Sequence, residues 1–154
     1  MAIEKVREFF KQYNCEDKIL EFDVSSATVQ LAAQALGCPP ERIAKSLTFK
    51  TDNAVIMVVA AGDARVDNKK YKECFGTKAK MLSAEEVEEL VGYAVGGVCP
   101  FAVNDGVDVY LDESLKRFET VFPACGSSNS AIELKLSELE FYSNAKAWVD
   151  VCKL

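Results

Sequence analysis

Lys45 stands in the run Ile43-Ala44-Lys45-Ser46-Leu47-Thr48-Phe49, where strand alternation puts 43, 45, 47 and 49 on one side. An ammonium sharing a face with three large apolar side chains snorkels to solvent, pairs with an acid, or lines a cavity where it meets a ligand. A second candidate is Val95-Gly96-Gly97-Val98-Cys99-Pro100-Phe101. Paired glycines let backbone approach a ligand, and the proline withdraws one amide donor, which leaves the other N–H groups to an anion or a carbonyl. A third is Ala124-Cys125-Gly126-Ser127-Ser128-Asn129-Ser130. Its small hydroxyl and amide side chains suit a polar substrate, and equally an ordinary solvated loop. The chain has no histidine. Cys99 and Cys125 therefore lack the usual base of a nucleophilic thiol, and loop packing is the simpler expectation for both.

The elements that must position these residues are punctuated locally. Ile3, Val6, Phe9 and Phe10 recur at helical spacing and predict a helix over 2–13. A short strand is expected over 19–24. Hydroxyls at 25–28 cap a helix from Val29 to Leu36 that Gly37 ends. Residues 43–50 and 54–61, separated by Thr51-Asp52-Asn53, read as a β-hairpin. Asp67 caps a helix over 68–75, residues 79–82 read as a strand, and Ser83 with Glu86 forms a capping box for a helix through Val91. Strands over 107–111, 119–122, 131–134 and 147–151, with a helix over 136–141, complete a mixed α+β (α/β) pattern.

At 154 residues the chain suits one domain spanning 1–154, with a core that buries about 70% of the unfolded surface. No stretch reaches the ~18 apolar residues of a membrane span, and the N-terminus reads as an amphipathic helix rather than a secretory signal. A cytoplasmic location is expected. Six widely spaced cysteines without a CxxC pair or histidine argue against a zinc site and for small core residues. Net charge is −6, yet the window 65–80 is net +4 and the remainder −10. Lys69, Lys70 and Lys72 in that window are the candidate phosphate contacts of an otherwise acidic body, against the alternative of a solvated lysine face.

Taken together, Ser25-Ser26-Ala27-Thr28-Val29, the Ala44-Lys45-Ser46-Leu47 strand, residues 63–70, Gly92 to Phe101 and Gly126 to Leu134 resemble the YbaK/EbsC family. This is the family of free-standing relatives of the prolyl-tRNA synthetase editing domain. The resemblance implies a mixed, β-barrel-like sheet surrounded by helices. It also implies trans-editing of mischarged aminoacyl-tRNA by ester hydrolysis, without cofactor or metal. It assigns Lys45 to the terminal nucleotide and Gly97 and Val98 to the ester. Phe22, Ser46, Gly96, Cys99, Pro100, Gly126, Ser127, Ser128, Asn129 and Ser130 are placed around the substrate. Lys69, Lys70 and Lys72 are expected on the tRNA, and prolyl-tRNA synthetase is an expected partner, with the choice between monomer and homodimer open. The ribose hydroxyl beside the ester can help activate water, which fits a chain without histidine. Members acting on cysteinyl-tRNA(Pro) carry serine and aspartate where Ala124 and Ala131 align, so cysteine, alanine, serine and threonine all stay open as the amino acid. A non-catalytic nucleotide- or tRNA-binding module is the alternative, and a thiol enzyme using Cys99 or Cys125 a third reading.

Overall fold

The structure, a computed structural model, describes residues 2–154. Helix α1 (Ala2–Lys11) buries Ile3, Val6 and Phe10; it stops short of residue 13, and Asn14 follows in the left-handed region at φ +56°. Thr28 caps α2 (Val29–Leu36) by accepting from Leu31 N at 3.2 Å, and Gly37 closes it at φ +68°. Asp67 caps α3 (Asn68–Phe75), and the predicted capping box opens a short α4 (Ala84–Glu86). Residues Val87–Val91 then form a π-helix where the pattern predicts α. Gly92 N–H reaches back to Val87 O, and Asn104 closes the turn through Val91 O and Glu89 O. Helix α5 spans Leu136–Ser143.

The strands are β1 (Leu20–Glu21), β2 (Ile43–Lys50), β3 (Val55–Ala61), β4 (Arg65–Val66), β5 (Val107–Asp112), β6 (Thr120–Pro123), β7 (Ser130–Ala131), β8 (Leu134–Lys135), β9 (Ala147–Val149) and β10 (Cys152–Lys153). The β2–β3 hairpin is the centre of a six-stranded mixed sheet of order β8-β6-β2-β3-β5-β9, curled into half a barrel, and β1–β7 and β4–β10 form two small antiparallel pairs. The α+β class follows. Among the described residues no helix is long and apolar enough to cross a membrane.

Several strands differ from the expectation. Residues 19–24 pair only at Leu20–Glu21, and 131–134 divides between β7, which serves β1, and β8, which serves β6. The stretch 147–151 is interrupted. Val151 N–H donates to the buried Asp112 carboxylate at 2.9 Å and Val151 O takes Asp67 N–H, so the chain leaves β9 and pairs again as β10. Residues 79–82 make only one bridge, Met81 to Phe49, flanked by Lys50 N–H to Lys80 O at 2.9 Å and Leu82 N–H to Thr48 O at 3.2 Å.

Candidate functional site

Two segments flank the outer edge of β2, and they do not meet. Strand β6 pairs in parallel with Ile43 and Ala44 and ends at Pro123, whose backbone faces away from β2 and accepts from Ile132 N–H at 3.1 Å. Lys80–Leu82 covers Thr48–Lys50 at the other end. A cavity of about 360 Å³ opens in the gap. Ala44, Lys45, Ser46 and Thr48 supply its wall from β2, Phe122 and Ala124 one end, Met81 and Leu82 the other. The start of α2 (Thr28, Val29 and Ala32), the loop residues Val95, Gly96 and Val98, and Ser130 and Ala131 complete it. Met81 and Val95 are 61% and 65% exposed and so stand at the rim. Ala124 and Ala131 bridge each other and both line the cavity.

Lys45 borders this cavity and is half-buried. Its ammonium donates to Gly62 O at 3.3 Å and to Ala64 O. Burial lowers its pKa from the ordinary lysine value, opposed by the Cys152 thiol and the Asp63 carboxylate. The turn that holds it is itself clasped. Asp63 accepts a two-pronged pair from Arg117 (Nη2–Oδ1 2.6 Å, Nη1–Oδ2 3.0 Å), and Ala61 N–H donates to Ser114 Oγ at 3.1 Å. The Arg117 hydrogen bond holds the Asp63 carboxyl below its usual range. From the opposite side Pro40 O presses on Gly62, where a Cβ would lie 2.0 Å from that oxygen, so no larger residue fits. The clasp was not visible in the sequence, because its two halves are 54 residues apart.

The glycine loop divides. Gly96, at φ +97°, and Val98 line the cavity, and Val98 N–H has no partner among the described residues. Gly97 does not supply the donor assigned to it. Its N–H is taken by Ala94 O at 3.0 Å, and its place is fixed by packing, since a Cβ would meet the backbone of Gly126 and Ser127 at 2.9 Å. Cys99 and Pro100 also leave the site: both are buried away from the cavity, Cys99 donating to Phe101 O. Burial pushes the Cys99 thiol up to about 12 and the Cys125 thiol well above its ordinary value, so both are protonated and inert near neutral pH.

Of the 126–130 run, Ser130 alone lines the cavity. Gly126, at φ +90°, packs on Ala2, Val6 and Tyr93. Ser127 is buried and bonds Ser130 Oγ at 2.7 Å, while Ser128 O takes Ser26 N–H at 2.6 Å. Asn129 exchanges two bonds with the Phe22 backbone, at 2.8 and 3.0 Å. Phe22 and residues 126–129 therefore brace each other and hold the start of α2 against the cavity. Lys69 and Lys72 are exposed on α3, away from the cavity; Lys70 is committed to Asp150 (3.1 Å) and Cys152 O (3.0 Å). Arg65 faces Lys153 across the β4–β10 pair. The residues missed from the sequence, Thr48, Met81 and Leu82, carried one legible signal: Thr48 alternates in step with Ser46.

A half-barrel sheet with a small-residue cavity at an open strand edge, bordered by a tethered lysine, belongs to a recognisable class. The chain is a member of the aminoacyl-tRNA editing domain family, whose model matches residues 24–142. It is 55% identical to the uncharacterized protein YwhH of Bacillus subtilis (strain 168) over 154 residues, 99% of this chain and 98% of that one. Over 90 residues, 58% of this chain but 16% of the relative, it is 33% identical to a proline-tRNA ligase of Bacillus pumilus (strain SAFR-032). Its fold matches, with a TM-score of 0.88 and 28% identity, the crystal structure of a candidate trans-editing enzyme for prolyl-tRNA synthetase, covering 99% of this chain and 98% of that one.

Proposed function

We propose that the protein is a free-standing deacylase that hydrolyses the ester between a small amino acid (cysteine, alanine, serine or threonine) and a mischarged tRNA such as tRNA(Pro). The observation that carries this reading is the cavity at the gap in β2, walled by alanines, with Lys45 at its border. The named relatives support it. Water adds to the ester carbonyl, and Val98 N–H meets the oxygen on which negative charge develops, an interaction worth about 3 kcal/mol in hydrolases. Collapse breaks the bond to the ribose oxygen, which receives the proton given up by water. The neighbouring ribose hydroxyl relays that proton, so no histidine is needed. Lys45 has three ammonium hydrogens, two held by Gly62 O and Ala64 O, and the third serves the terminal nucleotide. Lys69 and Lys72 are the exposed cations for the acceptor stem.

A panel of mischarged tRNAs tests the reading. Amino acid is released from at least one small aminoacyl-tRNA, and Lys45→Ala abolishes release. Absence of hydrolysis across the panel overturns it, and a tRNA-dependent thermal shift without hydrolysis would mark a binding module instead.

A further inference from the structure

We infer that the outer edge of Ser46 binds the aminoacyl group itself, as a one-residue strand filling the gap in the sheet. The inference rests on the deacylase reading and names how the ester is held. Thr48 O accepts from Leu82 N–H and Lys50 N–H donates to Lys80 O, so the even-numbered residues of β2 turn their backbone groups away from β3. Ala44, also even, is paired on that same edge with Pro123. Ser46 is the even residue between them. Its N–H and C=O point into the gap with no partner among the described residues, and its Oγ is a buried side-chain atom that also has none. Such groups are costly at a cavity wall unless a ligand or water takes them.

The ligand must present one acceptor and one donor at the spacing of a single β-residue. An α-aminoacyl ester does so, through its carbonyl oxygen and its α-ammonium. In a hydrogen-bonded antiparallel pair two residues exchange both bonds, and here the aminoacyl group replaces the missing residue: its carbonyl accepts from Ser46 N–H, its ammonium donates to Ser46 O. Residues so paired put their side chains on one face, about 5 Å apart. The amino-acid side chain therefore lies beside Ser46 Oγ, on the face of Ala44 and Thr48, where the cavity's alanines admit a short group. Ser46 N–H also joins Val98 N–H at the oxygen that becomes negative.

Ser46→Pro deletes the N–H and nothing paired, since proline is tolerated on an open edge and Lys45 is already extended. Ser46→Ala deletes the hydroxyl and keeps both backbone groups. The expected result is a kcat/KM about 100-fold lower for Ser46→Pro than for Ser46→Ala, at similar Tm. Equal rates overturn the inference. Should Ser46→Pro not fold, an NMR titration of the wild-type protein with 3′-alanylamino-3′-deoxyadenosine, a non-hydrolysable amide, decides. The Ser46 amide proton moves downfield on binding, and the propionyl analogue without the amine binds more weakly; an unmoved Ser46 signal at saturation, or equal binding of the two compounds, overturns it. A wild-type protein that hydrolyses nothing but shows this shift removes the deacylase reading and retains the aminoacyl site.

Discussion

The two halves of the glycine loop, Gly96–Val98 and Cys99–Phe101, are adjacent in sequence and opposite in role. In the first half Gly96 and Val98 line the cavity and Val98 offers an unpartnered N–H; the second lies in the core, Phe101 against Phe10 at 4.9 Å between ring centres and its carbonyl holding the Tyr93 hydroxyl. Gly97, between the two cavity-lining residues, is pressed on the backbone of 126–127. A loop can thus be rigid because half of it is core, and a preorganised donor needs that rigidity.

The largest way to break this contrast is Gly97→Ala. Its Cβ meets backbone that cannot rotate aside, so stability falls by about 3 kcal/mol, read as a drop in Tm, and hydrolysis falls with the displaced Val98. Cys99→Ser probes the core half alone. A hydroxyl there replaces a fully buried thiol and lowers stability by about 1–2 kcal/mol, while hydrolysis per folded molecule is unchanged, since the thiol pushed up to about 12 contributes no ionisation near neutral pH. Loss of turnover in a folded Cys99→Ser protein would return the thiol to the mechanism. Val95→Ala, at the exposed rim, is the smallest: chemical denaturation gives a change within about 0.5 kcal/mol, and any effect is confined to KM.

The legible parts of the molecule were those written in neighbouring residues. Thr28, Asp67 and the Ser83–Glu86 box announced their helices, and the β2–β3 hairpin followed from its alternation. Lys45 was marked by its three apolar companions. What joins distant segments was not legible: the Arg117–Asp63 clasp, the splitting of β7 from β8 and the diversion at Val151 each depend on a partner far along the chain. The loop roles failed for a related reason. Small residues at 97 and 126 read equally as room for a ligand or room for another backbone, and here the neighbouring backbone fills it.

The short reach of β6 has a consequence beyond shaping a cavity. An unpaired strand edge is a template on which other chains add and aggregate. The opening in β2 runs only from Ser46 to Thr48 N–H, bounded by the end of β6 on one side and by Lys80–Leu82 on the other. No second strand can find register there, so the protein keeps bare backbone available to a small molecule without offering a seed to its own copies.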